Sequence, residues 1–497
     1  MDFPKSRSGA SRKDYKYQPL NGDAVHQTRR TSRARPIAIM VLLSLSVLAL
    51  FYTTSVTSTQ APKQSCDTIE HGYVCDPKIA KFWGQYSLYY SVPSEIPDQV
   101  PPGCSITFAN MLSRHGARDP SASKTAKYNA TIAKLKKNVK EYKGKYAFLK
   151  DVQYTLGADE LTTIGRQQLV NSGIKFHRRY VNLAKNSLPF VRTAGQNRVV
   201  ESAQKWIEGY ASEQPHQASP ALSVIIPEER GVNNTLSHGG CYEFEDGAAS
   251  EIGDDNKAVW ASVFLPPIQA RLNKDLAGAN FTLDETLYMM DLCPFETVAD
   301  PQGSPSAFCN LFTENEFHQY DYYETLDKWY GYGNGNPLGP TQGVGYANEL
   351  IARLTRRPVV DHTTTNSTLD NNDATFPLNR TLYADFSHDN DLAGVYAALG
   401  LYNSTTQLSN STLQGTDKTN GYSASWAVPF GARAYFEKMQ CAGQKSELVR
   451  IVVNDRVIPL KTCNADIFGR CTLDNFVNSL SFATSGGRWN ECGSAPA

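Results

Sequence analysis

An alternating apolar run that ends in a histidine between two arginines constrains this chain more than any other feature. Ile106, Phe108, Asn110 and Leu112 alternate as in a strand. The run feeds into Arg114-His115-Gly116-Ala117-Arg118-Asp119-Pro120, and Gly116 and Pro120 break the pattern. His115 is therefore expected at a strand end opening into a loop, where open α/β sheets bind ligands. Two fixed guanidiniums beside an imidazole suit an anionic target. Arg114 and Arg118 can grip phosphoryl oxygens bidentately, and a neutral ring nitrogen of His115 can attack phosphorus.

The compartment follows from what lies upstream. Residues 1–36 carry nine basic and three acidic residues, about +6 in a chain of zero formal net charge. The remainder is thus near −6, which disfavours nucleic acid as a partner, while the tail alone suits an anionic membrane face. Residues 37–56 are uncharged and mostly apolar, and are read as a signal anchor with the basic tail cytoplasmic; a cleaved signal peptide is the rival. Residues 57–65 form a Thr/Ser/Gln/Pro stalk. All ten cysteines follow the apolar segment, an even number suited to five disulfides in an exported body. Seven N-glycosylation acceptors lie on the same side, at Asn129, Asn233, Asn280, Asn366, Asn379, Asn403 and Asn410.

Helical patterns run over 124–142, 161–180, 199–210, 283–293, 320–330 and 347–354, and strands over 382–386 and 448–453. Strands gather at the two ends of the body. This predicts an α/β domain, about 66–122 and 340–497, interrupted by a mostly helical insertion over about 123–339. No repeat is present.

A second constellation follows the 382–386 strand: Ser387-His388-Asp389-Asn390. A buried Asp389 carboxyl could protonate a leaving oxygen, with an acidic operating range expected because arginines oppose its protonation. His388 could bond the phosphoryl oxygens. Arg192, ending the apolar run Pro189-Phe190-Val191, is a candidate third clamp. No phosphate-binding loop, dinucleotide fingerprint, metal-binding HExxH or nucleophile elbow occurs, so the sequence implies no cofactor and no metal. It carries no signal of oligomeric state.

RHGARDP with a downstream SHDN resembles the histidine acid phosphatase family, and in detail its fungal phytases. The resemblance spans most of 66–497 and includes Trp83-Gly84-Gln85-Tyr86-Ser87, Gly335-Asn336-Pro337-Leu338-Gly339-Pro340, Gly343-Val344-Gly345-Tyr346-Ala347-Asn348-Glu349-Leu350 and Val453-Asn454-Asp455-Arg456. It implies a phosphoglycerate mutase-like α/β domain with a smaller α domain, and two-step hydrolysis of a small phosphomonoester. His115 matches the family nucleophile and Asp389 its proton donor. Arg114, Arg118, Arg192 and His388 match its phosphate ligands. It further implies the pairs Cys66–Cys75, Cys104–Cys441, Cys241–Cys492, Cys293–Cys309 and Cys463–Cys471. Lys124, Lys127 and Lys328 match a basic pocket that holds an inositol phosphate, bordered by Asp254 and Asp291. Asp119 and Asp327 depart from the pattern. By charge alone they should weaken attraction for a polyanion and favour simple monoesters. The rival reading is a broad-specificity acid phosphatase.

Overall fold

A computed structural model describes residues 65–493. The tail, the expected anchor over 37–56 and nearly all of the stalk lie outside the described residues. Among those described, no helix is long and apolar enough to cross a membrane.

The centre is an eight-stranded sheet. Its strands are β1 (Cys104–Arg114), β2 (Phe190–Ala194), β3 (Leu222–Ile226), β4 (Leu382–Ser387), β5 (Arg433–Cys441), β6 (Leu448–Val453), β7 (Arg456–Val457) and β8 (Arg470–Thr472). The order across the sheet is β8-β6-β5-β1-β4-β2-β3, with β7 paired to β6. The strands β1, β4, β2 and β3 are parallel. The strands β5 to β8 extend the sheet antiparallel from the other side of β1.

The alternation in β1 suggests one more buried face, yet both faces are buried. Phe108, Ala109, Met111 and Leu112 are all 3 % exposed or less. The strand is central and packed on both sides, so its polar Asn110 must be satisfied internally. Its amide donates to the Tyr346 hydroxyl at 2.9 Å and its oxygen accepts from Arg353 at 2.7 Å.

The interval 123–339 is less uniform than its composition suggests. It contributes β2 and β3 to the central sheet, the helix Asn197–Ser212 that packs against them, and the helix Thr163–Arg179 that packs on that helix. The helical part beyond the sheet is built from Ala122–Asn138, Ile252–Asp275, Leu283–Ala299 and Glu314–Gly331. β2 and β3 are five-residue strands whose pattern is submerged among long helices.

Gly116 owes its identity to packing. A Cβ there would lie 2.3 Å from the Gly165 carbonyl in the Thr163–Arg179 helix. Its N–H donates to Ser202 Oγ at 3.1 Å, so it is already satisfied by protein.

All ten cysteines are paired, as 66–75, 104–441, 241–492, 293–309 and 463–471. Five disulfides fit an oxidising, secretory environment.

Candidate active site

Two parallel neighbours carry the two motifs. In the β1–β4 register, Arg114 faces Ser387, and the His115 N–H donates to the Ser387 carbonyl at 3.1 Å. His115 and His388 therefore leave the same edge of the sheet side by side, with ring centroids 5.6 Å apart.

His115 is 1 % exposed. Its Nδ1 lies 2.8 Å from the Gly116 carbonyl. A carbonyl can only accept, so Nδ1 carries the proton. Burial, reinforced by the charges of Arg114 and Arg198 and by His388 and Arg118, holds the imidazole well below its ordinary value. The ring is thus neutral, with a bare lone pair on Nε2.

Arg114 is fully buried beneath it. Its Nη1 donates to the carbonyls of Gln85 and Val428, the latter at 2.8 Å, and its guanidinium stacks on Phe430 at 4.5 Å. Arg118 donates to the Asp119 carbonyl at 2.7 Å. Arg198, in the first turn of the Asn197–Ser212 helix, lines the cleft beside Arg118. The Nε atoms of Arg114, Arg118 and Arg198 are buried without a hydrogen-bond acceptor among the described residues. Buried guanidinium donors are costly to leave unmatched, and three of them around one imidazole fit a tetrahedral oxyanion.

Arg192 does not join them. It sits on β2, 1 % exposed, with Nε 2.8 Å from Asp385 and Nη1 3.0 Å from Glu349. Both carboxylates occupy its fork, so Arg192 has no free donor edge towards the cleft, and the cleft holds Arg198 instead. The signal lay six residues further on, where the chain leaves β2 and starts a helix whose N-terminus favours an anion.

Asp389 starts the helix Asp389–Ala398. Its Oδ1 is 3.4 Å from Arg114 Nη2 and its Oδ2 2.9 Å from Lys328 Nζ. Burial pushes the carboxyl up, but Arg114 and Lys328 outweigh it and hold it well below the usual range. His388 Nε2 lies 3.1 Å from both oxygens of Glu228, a partner the sequence did not single out.

Arg118, Arg198, Glu228, His388 and Asp389 line a cleft of about 740 Å³, and His115 and Arg114 are buried. Lys124, Lys127, Asp291, Asp327 and Lys328 also line it. Lys124 pairs with Asp291 at 3.2 Å. Asp119 does not line the cleft. Its carboxylate turns to the backbone of Gly157, which offsets part of the burial that raises it. Asp327 is not the isolated negative charge its sequence position suggests: Lys257, also lining the cleft, is 2.7 Å from it, and Lys328 is 3.0 Å away. Asp254 lies outside the lining set and pairs with Lys257 at 2.7 Å. Among the described residues no cluster of His, Cys, Asp and Glu could hold a metal ion.

A sheet edge that presents a neutral histidine, three arginines and a His-Asp pair defines a phosphohydrolase of the histidine phosphatase type. Residues 105–454 match the model of the histidine phosphatase superfamily, branch 2, and the chain belongs to that family. It is 52% identical over 467 residues to Phytase A of Aspergillus oryzae, covering 91% of this chain and 100% of that protein. Phytase A of Aspergillus fumigatus is 50% identical over 466 residues, covering 92% and 99%. The fold matches the crystal structure of the phytase from D. castellii with a TM-score of 0.69 at 24% identity, over 84% of this chain and 88% of that one. The protein is accordingly an enzyme of the histidine acid phosphatase and phytase family.

Proposed function

We propose that the enzyme hydrolyses phosphomonoesters through a phosphohistidine at His115, with inositol hexakisphosphate as its substrate. The observation that carries this is the bare Nε2 of His115 beside three arginines with unmatched donors. In the first step Nε2 attacks phosphorus, the bond from phosphorus to the ester oxygen breaks, and Asp389 gives that oxygen a proton. Arg114, Arg118, Arg198 and His388 take the charge spread over the equatorial oxygens. In the second step Asp389 takes a proton from water as it attacks phosphorus. The P–N bond breaks, phosphate leaves and Nε2 regains its lone pair. Free Asp389 is ionised, so it must take up its proton once substrate is bound. A phosphoryl dianion between Arg114 and Asp389 offsets the cations that hold the carboxyl down, and an acid medium then supplies the proton.

Lys124, Lys127, Lys257 and Lys328 along the cleft support a polyanionic substrate, and the high identity to enzymes named Phytase A supports inositol phosphate in particular. We further propose a type II arrangement, with residues 1–36 cytoplasmic, 37–56 as anchor and the catalytic region lumenal or extracellular. The disulfides and the exposed or half-buried sequon asparagines support it. Protection of the catalytic region, but not of an N-terminal tag, from protease added to sealed microsomes tests it.

The activity is tested by assaying the purified protein on inositol hexakisphosphate and p-nitrophenyl phosphate across the acid range. Release of phosphate from both, an acid-quenched phosphohistidine, and loss of both activities in His115→Ala are expected. Residual turnover in that variant would remove His115 as nucleophile. Turnover of the simple ester alone would leave a broad-specificity acid phosphatase.

A further inference from the structure

We infer that Glu228 is a positioning residue that ties His388 and Arg198, two phosphate ligands far apart in sequence, to one anchor. The inference rests on the phosphoryl-transfer reading above. Glu228 follows β3 by two residues and stands in the wall of the cleft, its side chain 11 % exposed. A carboxylate there is unfavourable for an incoming phosphate unless its charge is already committed. It is committed twice. Both oxygens lie 3.1 Å from His388 Nε2, and Oε1 also accepts the backbone N–H of Gln196 at 2.9 Å. Gln196 precedes the Asn197–Ser212 helix, and Arg198 is the second residue of that helix. Ser237 Oγ donates to Oε2 at 3.4 Å.

Three consequences follow from acceptor chemistry. A carboxylate cannot donate, so Nε2 of His388 carries a hydrogen and the ring is held in one orientation. Nδ1 is then the ring atom left to meet the phosphoryl group, and it donates to a phosphoryl oxygen only when both ring nitrogens carry a hydrogen. The same carboxylate fixes the start of the helix that presents Arg198, so the spacing between the two ligands is set by a single side chain on a third segment. Burial works against the charge of Glu228, but the bonds to His388 and Gln196 and the charges of His388 and Arg198 outweigh it. The anchor therefore keeps its charge to lower pH than an ordinary glutamate.

The test is a double-mutant cycle on the full-length protein. Glu228→Ala is expected to lower kcat/KM by about 10²-fold, the scale of a misplaced catalytic group. In a His388→Ala background the further loss should shrink several-fold, the remainder passing through Arg198; with both His388→Ala and Arg198→Ala present it should be within about twofold, as for residues that act through one another. An undiminished hundredfold loss in those backgrounds, or a Glu228→Ala enzyme that turns over like its parent, overturns the inference. Melting temperature separates misfolding from misplacement, and Glu228→Gln replaces the alanine in the same cycle if the alanine variant does not fold. Orthovanadate affinity measured on the same variants gives the coupling without turnover. An inert parent enzyme would thus count against the phosphatase reading, while uncoupled vanadate affinities would count against the role of Glu228.

Discussion

Lys328 reaches the carboxylate of Asp389, with Nζ 2.9 Å from Oδ2. The contact sets a pH limit. Lys328 and Arg114 favour the ionised form of the group we propose as proton donor, and they overcome its burial. Removing one cation lets the carboxyl rise, so the protonated acid survives to higher pH. In Lys328→Met the alkaline limb of the kcat profile on p-nitrophenyl phosphate should move upward by about one pH unit or more, the usual effect of one close opposite charge. A limb that stays in place or moves down would show that Asp389 is not the group that limits it.

Arg192 and Arg198 are six positions apart and should fail in different ways. Arg192→Met leaves buried Glu349 without its fork and removes one of two arginines from Asp385. Breaking a buried pair costs about 3–5 kcal/mol, seen as a large drop in melting temperature. Arg198→Ala should melt within about 0.5 kcal/mol of the parent. Its inhibition by inorganic phosphate should weaken about tenfold or more, the scale of one charge-assisted bond. Normal phosphate affinity in Arg198→Ala would contradict the clamp drawn here.

The misplaced arginine shows where the sequence stops being legible. Its motifs single out His115, Arg114, Arg118, His388 and Asp389 because each lies at or just after the end of a visible strand. That β1 and β4 are adjacent and parallel, which brings the motifs together, is a long-range pairing that no local pattern encodes. Strand-end logic also chose Arg192, because an apolar run ends there. Which face of β2 a side chain takes depends on the layer packed against it, and here that layer is the Val344–Thr355 helix with Glu349. Asp327 gave the same difficulty. Its partner Lys257 is seventy positions earlier on another helix, so its charge reads as unopposed in sequence and is paired in space.

That pairing predicts a substrate-dependent effect. Lys257→Ala leaves Asp327 with Lys328 alone and exposes net negative charge in the cleft. KM for inositol hexakisphosphate should rise about two- to fivefold, the worth of a partly exposed ion pair, and the difference should shrink as salt is added. Asp327→Asn should act in the opposite sense. Turnover of p-nitrophenyl phosphate, which occupies only the clamp, should change by less than about twofold. An equal rise in KM for both substrates would place Lys257 in the clamp instead.

Stability should also be adapted to acid. Asp67, Asp321, Glu324 and Asp370 are each pushed up to about 7, with burial the first cause. A carboxyl raised on folding contributes stability that is complete below its unfolded value of 3.8 or 4.5 and is lost as pH rises through about 7. His238, pushed up to about 9 against its burial by Asp391 and Glu245, extends the decline above neutrality. Buried neutral His115 works the other way, but with Glu296 also pushed up to about 7 by burial it is one group against five. Asp385 and Asp455 are held at about 2, where paired cations overcome burial. Their contribution is present above 3.8 and drains only in stronger acid. The melting temperature should therefore peak near pH 4 and fall towards neutrality. Asp321, whose Oδ1 accepts the Gly84 N–H at 3.1 Å, offers a single-site check: Asp321→Asn should flatten the fall between about pH 5 and pH 7 by one proton's worth of slope. A melting temperature that climbs over that interval in the parent protein would show that these carboxyls are ionised in the fold.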